Sequence, residues 1–152
     1  MKIVLPDAEA TTRLGQAIAH LLQAGDSVLL YGPLGMGKST LARGLIRALT
    51  TPDEDVPSPT FTLVQFYDSD PAVAHFDLYR LTRPEEAFEI GLDEALDDGC
   101  AVIEWPERLG DDPGRFLGPD RLIIEIAEQG EGRVATVSGA GAWDDRLKEL
   151  HV

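Results

Sequence analysis

Apolar and polar positions alternate along the chain with periods that change several times, and each change marks an element. Met1–Leu5 reads as a short strand. Asp7 is placed to cap a helix in which Leu14, Ile18, Leu21 and Leu22 share one face, predicting a helix to about Gln23 with Gly25 at its end. Ser27–Tyr31 is an apolar run of strand length, and Leu41, Leu45 and Leu49 repeat at helical spacing through Lys38–Leu49. Residues 50–60 carry three prolines and no apolar period, so they form a loop. Residues 61–67 and 72–80 predict two strands around the turn DSDP.

Thr82 and Glu85 have the spacing of a capping box with Pro84 in the first turn, so a helix starts there and Gly91 interrupts it. Residues 100–105 (CAVIEW) predict a buried strand, and residues 107–120 a long irregular loop. RLIIEIAE and RVATVSG form a hairpin about QGEG, and DDRLKEL a short last helix. Strands alternate with helices first and pair as hairpins later. The expected fold is α/β, a single domain over residues 1–152: a three-layer sandwich around a mixed sheet with antiparallel strands at its edges. A ligand would lie at the carboxyl ends of its parallel strands.

Between the second strand and the second helix stands GPLGMGKST, residues 32–40. Gly32, Gly37, Lys38 and Ser39 meet the pattern G-x-x-x-x-G-K-[ST]. Glycines let backbone N–H groups turn inward, and the positive end of the next helix adds to the cradle they make. A phosphate chain would lie along residues 35–40 (Gly35, Met36, Gly37, Lys38, Ser39 and Thr40), with Lys38 on the β/γ-phosphates and the Ser39 hydroxyl on Mg²⁺.

Composition narrows the rest. The chain has 152 residues, 43% hydrophobic and 26% charged, which is ordinary for one globular domain. Its net charge of −14 repels nucleic-acid backbones at long range, so the isolated chain is not expected to bind tRNA or other nucleic acid. Lys2, Lys38 and Lys148 are the only lysines. The single cysteine, Cys100, excludes an intrachain disulfide and reads as a buried thiol. No run reaches membrane-spanning length and the start lacks a signal-peptide pattern, so a reducing cytoplasm is the expectation. His20, His75 and His151 have no metal-ligand spacing, which argues against zinc.

A Mg·ATP site also needs a carboxylate near Ser39. Glu104 ends the apolar run 101–103, and Asp77 stands in HFDLYR with Phe76 and Leu78 facing the other way. Either acid has a purely structural alternative: Asp77 paired with Arg80, and Glu104 paired with Arg108. Ser58 and Thr60 supply hydroxyls in a loop placed where nucleotide switches close on the γ-phosphate, although a plain surface turn would read the same. Trp105 is either a core anchor or an aromatic at the site or at a partner surface.

GPLGMGKST, SPTFTLV, HFDLYRL and IEWPERL, in this order and spacing, resemble the TsaE (YjeE) family over nearly the whole chain. Ser39 stands where threonine is common there, Pro33 where an acid is frequent and Met36 where alanine is frequent. The resemblance implies a bacterial P-loop ATPase required for threonylcarbamoyladenosine in tRNAs that read ANN codons, acting with TsaD and TsaB. It implies functional roles for Lys38, Ser39, Ser58, Thr60, Asp77, Glu104 and Trp105, and for Thr11 near the nucleotide. It brings the last hairpin towards the base; a one-residue offset leaves the contacting residue open there, and Arg133 is the residue chosen. Two other readings stand beside it: a small-molecule P-loop kinase, and an assembly factor whose bound ATP only sets shape. A guanine-specific switch lacks its [NT]-K-x-D signature here.

Overall fold

The computed structural model describes residues 1–152. A sheet of seven strands runs through the molecule in the order β1-β7-β6-β2-β5-β4-β3. The strands are β1 (Lys2–Leu5), β2 (Ser27–Tyr31), β3 (Val64–Tyr67), β4 (Ala72–Asp77), β5 (Gly99–Glu104), β6 (Arg121–Gln129) and β7 (Gly132–Ala140). β6, β2, β5 and β4 are mutually parallel, while β3 pairs antiparallel with β4, and β7 antiparallel with β6 and β1. The mixed sheet with antiparallel edges is the one expected from the sequence.

Helices cover both faces, which is why β2 and β5 are apolar at every central position. Val28 and Leu30 of β2 and Val102 of β5 join one core with Leu14, Ile18, Leu41 and Leu45, from α1 (Ala8–Ala19) and α2 (Lys38–Leu49). Leu29, Ala101 and Ile103 point the other way, into a second core. α4 (Leu92–Asp98) supplies Leu92 to it, and α3 (Glu86–Glu89) supplies Ala87. A last short helix, α5 (Trp143–Arg146), buries Trp143 against the first core. Period two then decides the site: Glu104 shares a face with Val102, and His75 and Asp77 with Val73, so all three aim at the α2 side.

α1 and α2 pack at close range. A Cβ on Gly15 would overlap the Leu41 carbonyl oxygen, and one on Gly44 would lie 2.7 Å from the Thr12 carbonyl oxygen. A similar abutment fixes Gly32, whose φ is 142° and whose added Cβ would lie 2.7 Å from the Ile126 oxygen of β6. Behind the sheet, Asp26 accepts the Gln23 N–H at 2.8 Å and Arg146 Nη1 at 2.5 Å, and Arg146 also donates to the Leu21 carbonyl. Burial pushes the Asp26 carboxyl above the usual carboxylate range, while the Gln23 N–H and Arg146 pull it back.

Several boundaries differ from expectation. α1 ends at Ala19 and not near Gln23, because Leu21 and Leu22 turn tightly onto Ile18 and Ala19 and the Gln23 N–H bonds to Asp26. β3 begins at Val64, since Leu63 sits at φ 70° and donates to the Pro59 carbonyl in a turn. β4 stops at Asp77, short of Arg80. Glu86, and not Glu85, closes the cap at Thr82: its carboxylate accepts from the Thr82 hydroxyl and from the Thr82 and Arg83 N–H groups. The stretch expected as a loop contains two 3₁₀ turns, Pro106–Leu109 and Pro113–Arg115. Cys100 is fully buried and its thiol is pushed up to about 12 by desolvation, which keeps it an unreactive thiol.

Candidate active site

Tyr31 ends β2, and the chain then turns through Gly35 (φ 82°) and Gly37 (φ 102°) before α2 begins at Lys38. Both glycines hold positive φ values that a side chain disfavours. A Cβ on Gly35 would meet nothing within 4 Å, so it is the backbone conformation and not crowding that favours glycine there. Beneath it Lys38 is 4% exposed. Its Nζ donates to the Gly32 carbonyl at 2.6 Å and sits 3.5 Å from the centroid of the Trp105 ring. Burial lowers the Lys38 pKa from its ordinary value, and the carboxylates of Glu104, Glu107 and Asp77 counter that shift. An ammonium has three N–H donors, so a buried one bound to a single oxygen retains donor capacity for an anion.

Ser39, the second residue of α2, donates its hydroxyl to Glu104 Oε1 at 3.1 Å. Glu104 is 3% exposed and also meets His75 Nε2 at 2.6 Å. On the neighbouring strand Asp77 lies in register with Glu104. Asp77 accepts from the Thr60 hydroxyl at 3.3 Å and from the Tyr79 N–H at 3.0 Å. Ser58 and Thr60 share a hydrogen bond of 3.1 Å, so the loop before β3 touches the site through one hydroxyl. The alternative pairs do not form: Arg80 lies over Phe61 and Arg108 over Tyr79, and neither bridges to Asp77 or Glu104.

These groups line two adjoining clefts. One, of about 270 Å³, contains Lys38, Ser39, Ser58, Thr60, Asp77, Glu104 and Trp105. The other, of about 250 Å³, contains Thr11, Met36 and Arg133, together with Asp7 and Glu131. Gly35, Gly37 and Thr40 belong to both. Every candidate residue named from the sequence except Gly32 therefore lines one of two clefts that share the phosphate loop, a polar one at the strand ends and a second lined by Thr11 of α1 and by Glu131, Gly132 and Arg133 of the β6–β7 hairpin. Thr11 packs against Gly37, whose added Cβ would lie 3.5 Å from its methyl.

Sequence reasoning missed His75. Histidine spacing bears only on zinc, yet His75 stands two residues before Asp77 on the same strand face, and that shared face is the signal for it. As for metals, no cluster of three His, Cys, Asp or Glu side chains is poised for one. The Ser39 hydroxyl beside the Glu104 carboxylate is instead a hard-oxygen pair. It suits Mg²⁺, which keeps its waters and takes phosphate oxygens in place of a full protein cage.

Comparison with known proteins agrees with this arrangement. The family described as "Threonylcarbamoyl adenosine biosynthesis protein TsaE" matches residues 5–135. Relatives named "tRNA threonylcarbamoyladenosine biosynthesis protein TsaE" include one from Streptomyces coelicolor, 40% identical over 84% of this chain and 89% of its own length. Another, from Nostoc sp., is 39% identical over 85% of this chain and 80% of its own. The relative from Rickettsia felis is 41% identical over 69% of this chain, which spans 62% of that protein. The crystal structure of the Bacillus protein YdiB superposes with a TM-score of 0.77 at 26% identity, covering 98% of this chain and 91% of that one. No helix is long and apolar enough to cross a membrane. By the family match and these identities, the chain belongs to the TsaE family.

Proposed function

We propose that this chain is a Mg²⁺-dependent ATPase that serves threonylcarbamoyladenosine formation in tRNAs reading ANN codons, acting with the TsaD–TsaB pair in the cytoplasm. The observation that carries the reading is the Ser39–Glu104 contact at 3.1 Å directly above the buried, donor-rich Lys38. A hydroxyl, a carboxylate and a desolvated ammonium converging under a glycine loop suit a metal-bound triphosphate better than any other small ligand.

In this reading Lys38 leaves the Gly32 carbonyl to hold β/γ-phosphate oxygens. Ser39 and Glu104 would hold the metal, which when bound would neutralise charge developing on those oxygens. Asp77, held by the Tyr79 N–H on one oxygen and by the Thr60 hydroxyl on the other, orients the attacking water through a remaining lone pair or through Thr60. The water oxygen would bond to the γ-phosphorus as the bond from that phosphorus to the β–γ bridging oxygen breaks, its proton passing to a γ-phosphate oxygen, leaving ADP and phosphate. The base side of the nucleotide lies in the second cleft, with Thr11 and Arg133.

Lys38 is the only cation lining the phosphate cleft, so the site lacks an arginine to stabilise the transferring phosphoryl group. Protein partners are the proposed source. The test is hydrolysis of ATP by purified chain, with Mg²⁺ varied and with no acceptor but water, before and after adding TsaD–TsaB. Phosphate release that needs Mg²⁺ and rises with the pair is the expected result. Transfer to a small acceptor with no hydrolysis would instead establish the kinase reading.

A further inference from the structure

His75 is 1% exposed and sits on β4, one pleat before Asp77. Its Nε2 is 2.6 Å from Glu104 Oε2, while the Ser39 hydroxyl lies nearer the other oxygen of that carboxylate, 3.1 Å from Oε1 against 3.4 Å from Oε2. A carboxylate only accepts, so the proton at this contact is on the histidine Nε2. The other ring nitrogen, Nδ1, is buried without a partner. That orphan argues against a purely structural ring. A phenylalanine or leucine at this position would fill the same space beside Val73 and Val102 without leaving a buried nitrogen unpaired.

We infer that His75 is a positioning residue for the metal-binding carboxylate: its Nε2–H holds Oε2 so that Oε1 is presented beside the Ser39 hydroxyl. The inference rests on the Mg·ATP reading of this site. A carboxylate gripped at one oxygen loses the freedom to rotate about its last torsion, so a small cation with strict octahedral demands meets a preset ligand. The two elements that supply the metal ligands, α2 and β5, are thereby tied to β4, the strand that carries Asp77. His75 acts in this arrangement through Glu104, its one side-chain partner.

The test compares wild type with His75→Ala and with His75→Gln, whose side-chain amide places an N–H near the position of the imidazole Nε2. Three quantities are read: ADP affinity without metal, Mn²⁺ affinity of the ADP-bound protein by electron paramagnetic resonance, and the Mg²⁺ concentration for half-maximal ATP hydrolysis. His75→Ala is expected to weaken Mn²⁺ binding and to raise the Mg²⁺ requirement by about 10- to 100-fold, with metal-free ADP affinity unchanged. His75→Gln is expected to recover most of both. Unchanged Mn²⁺ affinity in His75→Ala overturns the inference while leaving the ATPase reading standing. Loss of ADP affinity in parallel with Mn²⁺ affinity, or a His75→Gln protein no better than His75→Ala, also overturns it. If His75→Ala does not fold, His75→Leu takes its place: a loss of Mn²⁺ affinity of about 10-fold or more in His75→Leu that His75→Gln recovers supports the role, and wild-type affinity in His75→Leu rejects it. Wild type that binds ADP without any metal enhancement removes the functional reading itself.

Discussion

The Lys38 ammonium lies 3.5 Å from the centroid of the Trp105 indole, with its Nζ bonded to the Gly32 carbonyl. Trp105 reaches that place through a left-handed backbone (φ 58°) directly after Glu104, a conformation costly for a bulky residue. In the proposed cycle Lys38 must leave the carbonyl for phosphate, and the indole senses the departure. Trp143 is fully buried in the first core, away from the groove. Nucleotide binding should therefore change tryptophan fluorescence through Trp105 alone. A Trp105→Phe protein that keeps the full signal would contradict this.

Lys38→Ala should bind ATP weakly and lose about 10²–10³ in turnover, the scale of removing one preorganised charge donor at a transferring group. Steady-state phosphate release by a variant shown to melt cooperatively is the measurement. Turnover like that of wild type would remove the phosphate-loop assignment.

The neighbouring acids should separate by mechanism. Glu104→Ala should raise the Mg²⁺ requirement, because a hard cation loses an oxygen ligand. Asp77→Ala should slow hydrolysis by about 10- to 100-fold with a smaller effect on the Mg²⁺ titration, because Asp77 faces Thr60 and not Ser39. Titrating Mg²⁺ against each variant distinguishes them. Two variants that only melt earlier would mark both acids as structural.

The Asp26–Arg146 pair makes a pH prediction. Removing the arginine strands a buried carboxylate, which costs about 3 kcal/mol or more at neutral pH. Burial already raises the Asp26 pKa, and Arg146→Met takes away one of the two pulls that oppose it. A folded-state pKa above the unfolded one means that the folded protein binds the proton more tightly, so the penalty is full above that pKa and relieved as pH falls through it. The stability deficit of Arg146→Met should therefore shrink on acidification. Urea melts of both proteins at neutral and mildly acidic pH check the sign.

Partner dependence follows from charge. With a net charge of −14 and one cation in the phosphate cleft, the lone chain should turn over slowly. An arginine donated in trans is worth about 10³–10⁵ in phosphoryl transfer. We expect clear stimulation by TsaD–TsaB and no appreciable binding of free tRNA at moderate salt. Adding each component separately to an ATPase assay, with a parallel tRNA titration, decides it.

How much of this was legible beforehand depends on the range of the forces involved. The sheet with its antiparallel edges and the Lys38–Leu49 helix follow from local apolar period, and the structure returns that helix with the same ends. The Lys38, Ser39 and Glu104 constellation was legible because a glycine loop and a strand-end acid are each local patterns. The N-terminal helix was overextended because its end is set by Asp26, a residue beyond the helix whose burial depends on Arg146, 120 positions later. Spacing matches Thr82 with Glu85, but the short α3 starts later and turns the Glu86 carboxylate back onto Thr82 and Arg83 instead. His75 escaped because its partner is 29 residues away and its own neighbours, Ala74 and Phe76, read simply as strand.

The abutment of Gly32 on the Ile126 carbonyl makes the β6–β7 hairpin a ruler for the groove. In its ladder Ile126 pairs with Ala135 and Glu128 with Arg133, so the point that touches the start of the phosphate loop and the side chain at the groove's far end belong to one rigid ribbon. Their separation is a property of that ladder and not of any loop's conformation. A side chain at position 32 would lift the loop off its gauge and shift the groove at its phosphate end, while Arg133 at the far end stayed with the ladder.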